Sequence, residues 1–136
     1  MAQLVPKIYP EDLDPNTPIG IGFPLVMGTH KQNFTTTSQV HDNLRNLILT
    51  IKGERPMLPT FGSDLYLLLF EQMYQDQLAN SARQAIKSSV TEWMPFVDIL
   101  GVKVTSDNDN NKVLIEIEYS IQGWPASSTL NISVNI

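Results

Sequence analysis

The residues that could do chemistry in this chain are few and scattered, and their spacing decides which reactions are open to it. The nearest approach to a metal site is Asp107, Asp109 and Asn111 at positions 1, 3 and 5 of a calcium loop, with Glu118 at position 12. Position 6, where such a loop turns on glycine, is Lys112, and the residues that follow alternate as a strand and do not enter a helix. The segment reads as a hairpin turn, and no metal or cofactor is expected. His30 and His41 have no second ligand at helical spacing; His41, beside Asp42 near a helix start, is expected to be exposed or to cap. Cysteine is absent, which excludes disulfides, thiolate metal sites and thiol nucleophiles together. No Gly-x-Ser-x-Gly elbow is present, and Gly20-Ile21-Gly22 is not followed by the helix that a dinucleotide site requires. Glu54, Asp64 and Glu71 remain as carboxylates that could face one another across a sugar. Each has a structural alternative: Glu54 pairs with Arg55 or a neighbour, Asp64 caps a helix, and Glu71 ends one.

Composition narrows the class. A length of 136 residues suits one domain with a real core, and 42% hydrophobic against 17% charged residues argues against wholesale disorder. Fourteen acidic residues against nine basic ones give a net charge of −5, with the acids concentrated after Phe70. No basic patch is available to neutralise phosphates, so nucleic acid is not an expected partner. The longest apolar run, Leu65-Tyr66-Leu67-Leu68-Leu69-Phe70, is too short to span a bilayer. Met1 to Lys7 lack the layout of a signal peptide, and folding in a reducing cytoplasm is the expectation.

The elements that must position any site follow from punctuation and period. Pro6, Pro10, Pro15, Pro18 and Pro24, with Gly20, Gly22 and Gly28, make residues 1–34 an extended proline-rich arm. The apolar residues from Ile19 to Met27 require it to lie on something, its own domain or a partner. Thr35 to Ser38 supply caps for a first helix whose stripe is Val40, Leu44, Leu47, Ile48 and Ile51, and Gly53 stops it. Asp64 can cap a second helix, Leu65 to about Met73, which is apolar nearly all round and so demands burial on most sides. Asp76 can cap a third, running to about Trp93 with Leu78, Ala82, Ala85, Ile86, Val90 and Trp93 on one face. After Pro95 the period changes from 3.6 to 2. Ile99 and Leu100 lead into Val102 and Val104 to mark one strand, and Val113, Ile115, Ile117, Tyr119 and Ile121 mark a second. Leu130, Ile132, Val134 and Ile136 mark a third, with turns at residues 106–111 and 122–125. The fold class is α+β: three helices followed by a three-stranded antiparallel meander, forming a single domain over residues 35–136 behind the arm.

The segment from Leu49 to Leu65 carries Gly53-Glu54-Arg55-Pro56, then Pro59-Thr60-Phe61-Gly62 and Asp64-Leu65, ahead of an apolar helix ending in Phe70-Glu71. In this order it resembles the signature of the baseplate wedge family of contractile phage tails, which includes the sheath initiator; the resemblance covers residues 38–122. It implies a structural part of the virion's tail baseplate, assembled in the host cytoplasm and docked on wedge, tube-end and sheath proteins. It implies no membrane or small-molecule partner. Such a protein seeds sheath growth by lending a sheet edge to arms of the first sheath ring. Some members carry a lysozyme label, so a muramidase is the enzymatic alternative; a tail-assembly chaperone absent from the particle is a third reading.

The residues suit backbone pairing. From Ser127 to Ile136 the third strand holds no charge, proline or glycine, the features by which exposed edges usually repel a partner. If Leu130, Asn131, Ile132, Ser133, Val134, Asn135 and Ile136 form an edge, that edge is receptive; the alternative is a central or covered strand. Arg55, held extended by Pro56, is expected to be buried and bonded to a carboxylate or to carbonyls, locking the turn against the second helix. A contact with a neighbouring baseplate protein is its functional alternative.

Overall fold

The computed structural model describes residues 10–23, 25, 27–71, 74–107 and 109–135, with the side chains of Glu11 and Gln75 outside that description. After a short 3-10 turn at Pro10–Leu13 come β1 (Gly20–Ile21), β2 (Gln32–Asn33), α1 (Thr36–Leu49), α2 (Leu65–Phe70), α3 (Gln75–Trp93), β3 (Val97–Asp107), β4 (Lys112–Ile121) and β5 (Ser127–Asn135). The class expected from the sequence is the one observed.

Thr35 caps α1 in extended conformation, its hydroxyl accepting from the Ser38 N–H. The stripe read from the sequence is the buried one: Val40, Leu44, Leu47 and Ile48 face the core, joined by Leu78, Ala82, Ile86 and Val90 of α3. The sheet order is β3-β4-β5, antiparallel throughout. Val113, Ile115, Ile117, Tyr119 and Ile121 of β4, with Leu130, Ile132 and Val134 of β5, all point into the layer covered by the helices. α3 packs on β3, α1 reaches β5, and α2 bridges the two long helices. Each fully buried Leu or Ile here contributes about 1.5–3 kcal/mol of transfer free energy.

Four expectations need correction. The arm is not simply extended in its described part. Gly20–Ile21 pairs with Gln32–Asn33 as a small hairpin laid on its own domain. Asn33 Nδ2 donates to Asp42 Oδ2 at 2.7 Å and to Gln39 Oε1 at 3.1 Å, and Asp12 Oδ1 accepts from the Thr36 N–H at 2.6 Å. Asp12 thus places a carboxylate at the positive end of α1. Second, α2 stops at Phe70 and is not buried all round: Leu67 is 57% exposed and Phe70 64%, while only Leu65 and Leu69 are buried. The expected extension to Met73 falls outside the described residues. Third, Asp64 stands at the N-cap position of α2 as expected but makes no side-chain cap bond, and Asp76 does not cap α3. Tyr74 occupies the cap position of α3, without a side-chain bond, and Asp76 lies inside its first turn. Fourth, β3 is longer than expected and carries a bulge: Ile99 pairs with Tyr119 and Gly101 with Glu118, leaving Leu100 as the extra residue. The bulge switches the inward positions from Val97 and Ile99 to Val102 and Val104.

His41 is a further correction, because it is neither exposed nor a cap. Its Nδ1 lies 3.0 Å from the hydroxyl of Tyr119, a buried side chain on the central strand. Burial pushes the Tyr119 phenol above its ordinary value, a hydrogen bond with Ser128 pulls the other way, and the negative charge of Asp42 adds to the rise. The stability this neutral phenol contributes is complete below the unfolded-state value near 10 and is lost as pH rises through the raised folded value. Denaturant unfolding between about pH 8 and 11 should show stability falling at the alkaline end. Tyr119→Phe should flatten that fall, while losing about 0.5–1.5 kcal/mol at neutral pH with the His41 bond.

Candidate functional site

Two features are candidates: the loop of residues 50–64 joining α1 to α2, and the outer edge of β5. The loop closes on itself through main-chain bonds. Thr50 ends α1 with its N–H on the Asn46 carbonyl at 3.1 Å, and its own carbonyl receives the Ser63 N–H at 2.9 Å. Ile51 and Ser63 form an isolated parallel bridge, and the Gly53 N–H donates to the Pro59 carbonyl at 2.8 Å. Bonds between residues three apart, Leu58 N–H to Arg55 O at 3.2 Å and Phe61 N–H to Leu58 O at 3.1 Å, fold the tip around Pro56 and Pro59. The result is a compact loop whose ends meet.

Gly62 is the tightest point of that closure. Its φ is +128°, and an added Cβ would sit 2.5 Å from the Thr50 carbonyl oxygen. Gly53, at φ +90°, has nothing within 4 Å of such a Cβ and is needed only for its conformation. Ser63, which the sequence reading passed over, is buried beside them. Its Oγ donates to the Ile48 carbonyl at 2.7 Å and accepts from the Leu65 N–H at 3.4 Å, so it performs the cap expected of Asp64. A serine just before an aspartate at a helix start was the available signal.

The charged residues of the motif differ from expectation. Arg55 is exposed, with its guanidinium 4.2 Å above the ring of Phe61 and no hydrogen bond or ion pair among the described residues. Its neighbour Glu54 is occupied elsewhere, its Oε2 accepting from the Ile51 N–H at 3.1 Å. An aromatic face suits a guanidinium that keeps contact with water. Phe61 in turn meets Trp93 edge-on, with centroids 5.2 Å apart, so Arg55, Phe61 and Trp93 tie the loop to the end of α3. Asp64 pairs with Lys52 Nζ at 3.1 Å. Both partners are partly exposed, and the pair is worth at most about 1 kcal/mol. Phe70 and Glu71 lie at the far end of α2, away from the loop closure and exposed. The expected motif residues from Gly53 to Asp64 are therefore brought into one loop, and Phe70-Glu71 stands apart. As acid–base candidates the three carboxylates have different surroundings: Glu54 holds a backbone amide, Asp64 an ammonium, and Glu71 faces solvent.

The second feature is a contrast between sheet edges. β5 lies at one edge and β3 at the other. The β3 edge carries the Leu100 bulge, Gly101 and Lys103, and Arg83 Nη2 of α3 donates to the Val102 carbonyl at 3.4 Å. On β5, Leu130, Ile132 and Val134 are buried while Asn131, Ser133 and Asn135 are exposed, and Ser127–Asn135 contains no charge, proline or glycine. No bulge interrupts its pairing with β4, and no described strand pairs with its outer side. Ile136 lies outside the described residues.

Comparison with known proteins places this architecture. A protein of Geobacter sulfurreducens described as a tail lysozyme shares the fold, with a TM-score of 0.67 at 18% identity over 83% of this chain and 96% of that one. A chain of the anti-feeding prophage baseplate gives a TM-score of 0.52 at 20% identity, over 83% and 81% of the two chains. The fold is thus one used in phage-type tail baseplates. The family model of baseplate wedge protein gp25 matches residues 35–126, and this chain belongs to that family. The gp25 baseplate wedge protein of Enterobacteria phage T4 is 35% identical over 82 residues, 60% of this chain and 61% of its own length. The chain thus spans about three fifths of the length of that curated relative. Among the described residues, no helix is long and apolar enough to cross a membrane.

The loop geometry separates its two glycines. Gly62→Ala should cost about 3 kcal/mol or more, because both φ and the Thr50 carbonyl oppose a Cβ. Gly53→Ala should cost roughly 1–2 kcal/mol for φ alone. Urea midpoints of the two variants check the order. Arg55→Ala, by contrast, should lower stability by only about 0.5–1 kcal/mol, the worth of an exposed guanidinium–aromatic contact.

Proposed function

We propose that this wedge protein seeds sheath growth: it docks on neighbouring wedge and tube-end proteins through the surface of the 50–64 loop and α2. The outer edge of β5 then receives an extended segment of the tail sheath protein. The observation that carries the reading is the unguarded main chain of Ser127–Asn135 beside a β3 edge guarded by bulge, lysine and arginine. A sheet edge of that kind binds an extended partner through main-chain bonds, with alternate side chains adding specificity. The docking surface is supported by exposed apolar side chains at Met57, Leu67, Phe70 and Tyr74, which cluster by sequence around the motif. Arg55, exposed beside them, is free to meet a carboxylate or carbonyls of a neighbour. The protein is read as structural, and its action makes or breaks no bond in a substrate. The separate engagements of Glu54 and Asp64 support this, since a muramidase needs two carboxyl groups about 5–9.5 Å apart across a sugar.

Replacing Ser133 with Pro, or deleting the last few residues, should leave tubes and baseplates but block sheath polymerisation, scored by electron microscopy of purified particles. Normal sheaths on such baseplates would contradict the reading. Mass spectrometry of finished particles should find the chain in fixed copy number; its absence would favour an assembly chaperone. Lysis of cell walls by the purified protein, lost in Glu54→Ala or Glu71→Ala variants that still assemble, would favour the muramidase.

A further inference from the structure

We infer that, before it enters a baseplate, this chain pairs with a second copy of itself, β5 against β5, in a symmetric dimer that covers the edge the sheath would later use. The inference rests on the reading above that the outer edge of β5 is the receptive one. It adds an occupant for that edge outside the particle.

A twofold contact needs a patch that complements itself. Antiparallel pairing of the nine residues of β5 with their own copy, in full register, places Asn131 on the twofold axis. Leu130 then faces Ile132, Thr129 faces Ser133, Ser128 faces Val134, and Ser127 faces Asn135. The offset is even, so the buried positions Leu130, Ile132 and Val134 of both copies stay on the helix-covered side. The exposed Asn131, Ser133 and Asn135 stay on the open side. Like charges opposite one another disfavour strand pairing, and self-pairing forces every charge near the axis to meet its twin. β5 carries none, so nothing opposes the match. The other edge fails the same criterion. Lys103 stands on β3, the bulge at Leu100 interrupts its line, and Arg83 already occupies the Val102 carbonyl. The product is a six-stranded sheet, β3-β4-β5-β5-β4-β3, with both helical layers on one face. It closes on itself because each copy contributes β5, the one unguarded edge of its three-stranded sheet among the described residues, so growth stops at two. A sheath strand and a second copy require the same main-chain groups, so the two partners exclude each other.

The test uses the full chain in solution. Sedimentation equilibrium should show the mean mass rising twofold, from one chain to two, as concentration increases. Asn131→Lys, an exposed position where the side chain does not enter the core, should hold the mass at one chain across the same range while far-UV circular dichroism stays unchanged. The natural sequence has no cysteine, so a single introduced thiol reports on the axis. Asn131→Cys should cross-link on mild oxidation. Asn135→Cys should not, because its twin lies across the strand opposite Ser127, roughly 27 Å away at the usual rise per residue. A mass of one chain at the highest concentration, or equal cross-linking at the two positions, overturns the inference. The sheath reading fails separately: it falls if Ser133→Pro baseplates grow normal sheaths while the free protein is dimeric, and it stands if those baseplates stay bare while the free protein is monomeric.

Discussion

A strand with a neighbour on one side only leaves half of its main-chain donors and acceptors facing away from its own sheet, and in the three-stranded sheet β3 and β5 are both such strands. In β4, the central strand, residues from Lys112 to Ser120 lie beside β5 on one side and β3 on the other. In β3 the exposed side is broken by a bulge and partly occupied by Arg83. β5 has neither device. Its side chains keep it soluble through Asn131, Ser133 and Asn135, but they do nothing to repel an incoming strand. An edge of this kind is a liability in most proteins. Under the function proposed above, it is the simplest means of templating a partner's β-structure.

The rest of the molecule holds that edge in place. The helices bury one face of the sheet, and the buried faces of β4 and β5 interlock with α1 and α3 into a single core. A one-residue slip of β5 would turn Leu130, Ile132 and Val134 out to solvent, so the register of the edge is fixed from behind. The 50–64 loop joins α1 to α2 by closing its main chain at Thr50 and Ser63, with Gly62 where a Cβ would meet the Thr50 carbonyl. Phe61 against Trp93 extends the brace to α3. The outward-facing Arg55 and Phe70 are then presented on a rigid support.

Much of this was legible in the sequence wherever a long period and a local cap agreed. The stripe Val40, Leu44, Leu47 and Ile48 behind the Thr35 to Ser38 caps placed α1, although the helix ends at Leu49, before Ile51 and the expected stop at Gly53; the alternation from Val113 to Ile121 placed β4 and its inward face. Failures came where one local signal had a competitor. Asp64 looks like a cap, but Ser63 is one residue nearer the core and Lys52 draws the carboxylate outward. Arg55 looks like a buried clamp because a carboxylate precedes it, yet Glu54 is claimed by the Ile51 amide and an aromatic face takes the guanidinium. The apolar run of α2 suggested burial on all sides. A six-residue helix between two longer ones has buried only Leu65 and Leu69, which leaves Leu67 and Phe70 exposed. The partnership of His41 and Tyr119 spans 78 positions in sequence, and no local pattern announces it.

The account depends on β5 meeting a foreign main chain when the tail is complete. Cryo-electron microscopy of the assembled baseplate at a resolution that traces backbone reads this directly. The account predicts an extended segment of another protein lying about 4.8 Å from β5, with main-chain bonds along Ser127–Asn135. An outer edge left bare to solvent, or covered by side chains with no added strand, would contradict it.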